Sequence, residues 1–138
     1  MTKTTRRSVR DILHPHAVAI VGASADTEKW GGRLLAYMLR HRHDGPLYPV
    51  NARATAGAEL MGLPAYPSLR DCPGPVDLAI LLVPRQHVRA AIEDCVDKQV
   101  ACALCITAGF AETGEEGRAD EAELVALARA GGVRLIGP

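Results

Sequence analysis

The stretch Ala17-Val18-Ala19-Ile20-Val21-Gly22-Ala23-Ser24 decides the fold that this sequence predicts. Its first five residues are apolar without interruption, and the run stops at a glycine. A continuous apolar run rich in β-branched residues is typical of a strand buried on both faces, as the strands of parallel sheets are. The stretch therefore predicts a central strand that ends in a glycine turn.

Similar apolar runs follow along the chain, and amphipathic stretches separate them. Further strands are expected at 47–50, 77–83, 101–106 and 133–136, a short extended piece near 60–66, and helices that include 34–39, 88–96 and 119–130. Pro46 and Pro49 favour an edge position for the second strand. Right-handed crossovers between such strands give an α/β fold, a Rossmann-like doubly wound, mainly parallel five-stranded sheet with helices on both faces.

Length and composition fit one globular domain. The chain has 138 residues, of which 48% are hydrophobic and 23% charged. Sixteen basic residues balance sixteen acidic ones, which gives no reason to expect a nucleic-acid or membrane-surface partner. No apolar run approaches the roughly 20 residues of a membrane helix. We expect a cytoplasmic protein with a flexible arm at residues 1–10 and a single domain at 11–138.

The cysteines and histidines do not suggest a metal or redox site. Four cysteines lie in or beside apolar segments and predict buried, reduced thiols. Cys102 and Cys105 stand three apart on a predicted strand, so they face opposite sides of it and do not suit a zinc or disulfide pair. His41 and His43 do not share a helical face. The sequence therefore predicts no metal ligands.

The ends of the predicted strands carry the residues that suit a ligand, because open parallel sheets bind ligands beyond the carboxyl ends of their strands. After the first strand, Gly22 allows a ligand to come close to the backbone, and Ser24 and Thr27 provide hydroxyl groups. The helix that follows presents unpaired N–H groups, so this loop suits a phosphate. The Gly-x-Gly-x-x-Gly pattern of dinucleotide sites is absent.

The end of the second strand disfavours NAD. It reads Val50-Asn51-Ala52-Arg53 and lacks the acid that would accept from the ribose hydroxyl of NAD. Arg53 suits a ribose phosphate, because its planar guanidinium can contact two phosphate oxygens. Both NADP and coenzyme A carry such a phosphate, and the spacing does not separate them.

Five segments in a fixed order resemble the N-terminal CoA-binding domain of acyl-CoA synthetases that form a nucleoside diphosphate, relatives of the succinyl-CoA ligase α subunit. These segments are 17–24, 48–51, 77–84, 106–110 and 134–138. The resemblance extends from about Val9 to Pro138. It implies coenzyme A, or an acyl-CoA, lying across the strand ends.

The resemblance also implies which residues bind this ligand: Gly22, Ala23, Ser24, Thr27, Val50, Asn51, Arg53, Val83, Pro84, Ile106, Thr107 and Ala108. The loop after the first strand would face the phosphates or the pantetheine. The end of the second strand would lie near the adenosine phosphates. Residues 83–84 would pack against the adenine or the pantetheine. Residues 106–108 would line the part of the site that leads to the thiol of coenzyme A.

Ala108 points to one branch of this family, because the succinyl-CoA ligase branch has a glutamate there. The resemblance thus implies an acyl- or acetyl-CoA synthetase. Those enzymes use a phosphohistidine on a later domain, and none of the five histidines stands in a matching context. We expect a CoA-holding domain from a longer chain, with no catalytic residue of its own and with the remaining synthetase domains or subunits as partners.

Two alternatives remain open from the sequence. The first is a CoA-binding module of another class, either a regulatory domain of a lysine acetyltransferase or a stand-alone CoA-binding protein. The second is an NADP-binding oxidoreductase domain, which the missing glycine pattern disfavours.

Overall fold

Strands and helices alternate along residues 8–138, which the computed structural model describes. The elements in chain order are α1 (Val9–Leu13), β1 (Val18–Val21), α2 (Trp30–Arg40), β2 (Leu47–Val50), β3 (Glu59–Leu60), β4 (Leu63–Pro64), β5 (Leu78–Leu81), α3 (Arg85–Lys98), β6 (Cys102–Cys105), α4 (Glu115–Ala130) and β7 (Arg134–Ile136). Short 3-10 turns lie at Leu69–Asp71 and Ala111–Thr113.

Five of the strands form one parallel sheet in the order β2-β1-β5-β6-β7. The predicted five-stranded sheet is thereby confirmed. Its strands end level with one another, since Val21 pairs with both Val50 and Leu81, and Leu81 pairs with Cys105. The loops that follow these four strands therefore leave from the same edge of the sheet.

Strand β2 lies at the edge of the sheet, as its prolines predict. Its outer side meets the segment around Tyr66. The Asn51 amide donates to the Tyr66 carbonyl at 2.9 Å, and the Tyr66 amide donates to the Pro49 carbonyl at 3.0 Å. These bonds satisfy backbone groups that an open edge would leave to solvent.

Helices cover both faces of the sheet, which confirms the predicted layers. On one face, Ala19 and Val21 of β1 belong to a core that includes buried residues of α3 and α4. On the other face, Ile20 packs in a cluster with Leu35 of α2 and with residues of the β3–β4 hairpin. All four residues of β1 are buried, as expected for a strand between two helical layers.

The first helix, α1, is absent from the sequence prediction. Ser8 forms a capping box at its start: the Asp11 amide donates to the Ser8 Oγ at 3.3 Å, and the Ser8 amide donates to the Asp11 Oδ2 at 2.8 Å. The expected arm at residues 1–10 lies mostly outside the described residues. Its expected boundary at residue 10 falls inside α1.

Helix α4 begins at Glu115, four positions before the expected start at 119. The sequence predicts a polar loop before residue 119, whereas Gly117 lies in the first turn of the helix and is buried. A Cβ atom at this position would lie 1.9 Å from the Phe110 carbonyl oxygen. The glycine is therefore required by close packing and does not mark a loop.

The four cysteines are free and buried, as predicted. Burial raises the pKa of the Cys72 thiol to about 11 and that of the Cys95 thiol to about 12. Both thiols therefore stay protonated, and poorly nucleophilic, well above neutral pH.

Within residues 8–138, no helix combines the length and apolar character needed to cross a bilayer. The same residues contain no group of three or more His, Cys, Asp or Glu side chains placed to hold a metal ion.

The buried thiols predict that the fold loses stability in alkaline solution. A cysteine in the unfolded chain ionises at about pH 8.5, whereas the thiols of Cys72 and Cys95 in the folded protein keep their protons to higher pH. Above about pH 8.5 the unfolded state binds fewer protons, so the free energy of unfolding should fall by up to about 1.4 kcal/mol per pH unit for each thiol. Denaturant titrations under reducing conditions, at neutral pH and at about pH 9.5, measure this slope. Cys95→Ala should make the slope shallower, and an unchanged slope would contradict the assignment.

Candidate functional site

Four loops leave the carboxyl edge of the sheet and face the same side of the molecule. They comprise residues 22–29 after β1, 51–53 after β2, 82–84 after β5 and 106–109 after β6, and we name them together the binding edge. The chain runs from β1 to β2 on one side and later returns to β5 on the other side of β1. Strand order reverses there, which is where open α/β sheets form a ligand crevice.

Hydrogen bonds join the first two loops. The Val50 carbonyl accepts from the amides of both Gly22 and Ala23, at 2.9 and 3.0 Å. The Asn51 Nδ2 donates to the Ala23 carbonyl at 2.9 Å, and its Oδ1 accepts from the Arg53 amide at 2.8 Å. Asn51 thus joins the loop after β1 through its Nδ2 and orders its own loop, after β2, through its Oδ1.

The other two loops are joined in the same way. The Thr107 hydroxyl donates to the Val83 carbonyl at 2.6 Å, which connects the loops after β5 and β6. The Leu82 amide donates to the Val21 carbonyl at 2.8 Å and so connects β5 to the end of β1. All four loops of the binding edge are therefore bonded into one continuous backbone surface.

The loop after β6 is also ordered by its own carboxylate. The Glu112 side chain accepts from the Gly109 amide. Backbone hydrogen bonds, that from Gly109 first, lower the pKa of the Glu112 carboxyl. This bond turns the chain back towards α4 directly after Ala108.

Side chains of the loop after β1 bond within that loop. The Ser24 Oγ accepts from the Asp26 amide at 3.0 Å, and the Asp26 Oδ1 accepts from the Glu28 amide at 2.9 Å. The Arg33 Nε donates to the Thr27 carbonyl at 3.2 Å. Among the described residues the Ser24 hydroxyl hydrogen takes part in no bond, so it is available to an oxygen of a ligand.

Two glycines that the sequence analysis did not assign to the site, Gly31 and Gly32, let α2 approach this loop. A Cβ at Gly31 would lie 1.9 Å from the Gly22 carbonyl oxygen, and a Cβ at Gly32 would lie 2.0 Å from the Asp26 carbonyl oxygen. Gly22 itself has φ +98° and would place a Cβ 2.9 Å from the Leu82 carbonyl. Two consecutive glycines at the start of a predicted helix could have indicated, from the sequence alone, that the helix packs closely against other backbone.

No side chain within residues 8–138 caps the first turn of α2. Its N-cap, Lys29, makes no side-chain hydrogen bond to the turn. Free backbone amides and the helix dipole together favour a phosphate or carboxylate at such a terminus. Lys29, which the sequence analysis did not assign to the site, adds a positive charge at the same end of the helix. Its place directly before the predicted helix is the feature of the sequence that could have indicated this role.

Cations at the binding edge differ in whether they are neutralised within the chain. Arg85, at the start of α3, pairs with Asp120 and lies over the Phe110 ring, 5.4 Å from its centroid. Lys29 and Arg53 are exposed and form no ion pair within residues 8–138. The unpaired positive charge therefore lies on the side of β1 and β2.

The opposite side of the binding edge is apolar. Ile106 is 53% exposed after β6, and Ile136 of β7 is 48% exposed. Val83 is half-buried, and Pro84 is exposed at the start of α3. The edge thus carries its unpaired cations and hydroxyls near β2, beside two exposed carboxylates of the loop after β1, and becomes apolar near β7.

All the residues predicted to bind the ligand lie on the binding edge or at the strand end directly before it, but they differ in what they can offer. Ala23 and Val50 are buried and contribute backbone only. The half-buried members are Gly22, Ser24, Asn51, Val83 and Thr107, and the exposed members are Thr27, Arg53, Pro84, Ile106 and Ala108. That they contact a ligand stays a prediction.

Comparisons with known proteins identify the family of this chain. The sequence profile of a family described as a CoA binding domain matches residues 16–138. The alpha subunit of an ADP-forming acetate–CoA ligase II from Pyrococcus furiosus is 43% identical over 126 residues, which cover 91% of this chain and 27% of that subunit. An ADP-forming acetate–CoA ligase I from Archaeoglobus fulgidus is 40% identical over 127 residues, or 92% of this chain and 18% of the ligase.

A solved structure is similarly close. Acetyl-coenzyme A synthetase 1 of Candidatus Korarchaeum cryptofilum, in complex with phosphate and ADP, superimposes with a TM-score of 0.89 and 40% identity, over 95% of this chain and 27% of that one. The chain therefore spans less than a third of the length of these relatives.

The close approach at Gly31 predicts that this position does not accept even a methyl group. Alanine would normally raise helix stability by about 1 kcal/mol over glycine. In Gly31→Ala the added Cβ meets backbone, so we expect the free energy of unfolding to fall by about 1–3 kcal/mol instead. Denaturant titration measures the change. Arg40→Ala, at an exposed position of the same helix, should stay within about 0.5 kcal/mol. Equal or higher stability of Gly31→Ala would contradict the packing argument.

Proposed function

This chain belongs to the CoA binding domain family, and from that premise we propose that it binds coenzyme A as the nucleotide-binding domain of an ADP-forming acyl-CoA synthetase. The observation that carries the proposal is the family match over residues 16–138, a range that includes all four loops of the binding edge. The acid–CoA ligases that resemble this chain over more than nine-tenths of its length support the synthetase assignment.

The chemistry of the binding edge supports coenzyme A in one orientation. The ligand has a phosphate-rich adenosine end and a less polar pantetheine arm. Unpaired Lys29 and Arg53, with the open first turn of α2, suit the phosphates. Val83, Ile106 and Ile136 suit the arm, because they present apolar surface. The nucleotide would then lie towards β2, and the thiol would point towards β7.

The domain holds the ligand and leaves the chemistry to other parts of the synthetase. Of its histidines, His87 is exposed in the first turn of α3, beside the binding edge, whereas two others lie at the far edge of the sheet. His16 and His43 lie at the amino edge of the sheet, where the His43 ring nitrogen meets the His16 carbonyl at 2.8 Å. A phosphate carrier would have to reach the thiol at the opposite, carboxyl edge. We propose that the histidine that takes phosphate from an acyl phosphate and passes it to a nucleotide belongs to another part of the synthetase, as the family resemblance implies.

Isothermal titration calorimetry of the chain with coenzyme A tests the proposal directly. We expect saturable binding with one site per chain, and weaker binding of NADPH under the same conditions. Absence of heat up to millimolar coenzyme A would overturn the assignment, and a preference for NADPH would favour the oxidoreductase alternative.

Charge reversal at Arg53 tests the position of the ribose phosphate. Arg53→Glu should weaken coenzyme A by about ten-fold or more, because a phosphate contact becomes a repulsion. Dephospho-coenzyme A, which lacks the 3′-phosphate, should be much less affected. Arg40→Glu, an equal change of charge at an exposed site on α2, is the matched control. Equal losses for both ligands would show that Arg53 does not meet that phosphate.

A further inference from the structure

Trp30 is the only tryptophan of the chain, and none of the roles described above uses its ring. It occupies the first position of α2 and is 71% exposed. A large aromatic side chain normally contributes to stability by burial, and this one buries little. Its position at the binding edge suggests that a ligand covers it.

The indole ring is held from one side by Arg33. The guanidinium carbon lies 5.3 Å from the ring centroid, in a cation–π contact. Arg33 is itself tied to the loop after β1, because its Nε donates to the Thr27 carbonyl at 3.2 Å. Arg33 thus covers one face of the ring, and the high exposure of Trp30 leaves the other face to solvent.

The place of Trp30 in its helix favours an orientation of the side chain towards the site. Helical side chains tilt towards the N-terminus of their helix. The N-terminus of α2 follows directly from residues 22–29 and lies at the binding edge. Trp30 therefore leans towards the place where the first turn of α2 offers its amides to a phosphate.

We propose that Trp30 is the stacking platform for the adenine base of coenzyme A, an inference that rests on the proposed function. An aromatic side chain with one free face stacks readily on a purine, and Arg33 holds the ring ready for it. Adenine at Trp30 stays on the cationic side of the binding edge, close to Lys29. Residues 83–84 then border the pantetheine.

Because the chain has a single tryptophan, its fluorescence reports directly on the surroundings of Trp30. Stacking against adenine should quench its fluorescence, excited at the red edge of the indole band where adenine does not absorb. Coenzyme A and adenosine 3′,5′-bisphosphate should both quench the emission. 4′-Phosphopantetheine, which has no base, should bind with little change in emission.

Affinities of variants test the same contact without fluorescence. By calorimetry, Trp30→Leu should weaken coenzyme A and the bisphosphate by about five- to fifty-fold and leave phosphopantetheine unchanged. Trp30→Phe should restore part of the loss. Tyr37→Leu is the matched control, since Tyr37 is an exposed aromatic residue, at 61%, two turns further along α2. It should bind all three ligands as the parent chain does.

The outcomes separate this inference from the proposed function. Calorimetric binding of coenzyme A without quenching, and with unchanged affinity in Trp30→Leu, would overturn the stacking role while the proposed function stands. Quenching by phosphopantetheine but not by the bisphosphate would also overturn it, because Trp30 would then meet the other half of the ligand. No binding of coenzyme A to the parent chain would overturn both.

Discussion

At the end of β1, the backbone of the following glycine turn contacts the backbone of the loop after β5 and that of the first turn of α2. These contacts are too close for any residue larger than glycine, and the position of every other part of the site depends on them. Gly22 turns the chain against the Leu82 carbonyl, and Gly31 lets the first turn of α2 press on the Gly22 carbonyl. The helix N-terminus is thereby held directly against the sheet. The helix thus begins at the edge of the sheet where strand order reverses, and larger residues at these positions would not allow so close an approach.

Polar groups at the binding edge divide into those used inside the protein and those left for a ligand. Asn51 and Thr107 bond neighbouring loops to each other, so their contribution is to keep the backbone surface in place. Lys29, Arg53 and Trp30 direct charge or an aromatic face to solvent. A site fixed in advance by internal bonds has less conformational freedom to lose when a ligand binds, which favours affinity.

The sheet, and the edge at which the candidate binding residues lie, were predictable from the sequence, because both follow from the order of buried apolar runs and the residues where they stop. The hydrogen bond from Asn51 to the Ala23 carbonyl was not predictable, because the two residues lie on different loops and only the fold brings them together. Gly117 was misassigned because a glycine in a tightly packed first helical turn has the same local pattern as one in a loop. Helix α1 was missed because its signal is a cap at Ser8 and Asp11, without buried residues behind it.

The strand order also affects how the chain reaches its folded state. Val18 pairs with Leu47 on one side and with Leu78 on the other, so β1 cannot complete its pairing until β5 is present. A chain emerging from the ribosome can join β1 to β2 early, but the second edge of this apolar strand stays open in the meantime. Parallel pairing between distant segments is slow, and an open apolar edge invites aggregation. Strand β1, which is buried on both faces in the folded sheet, is thus the strand most in need of protection during synthesis.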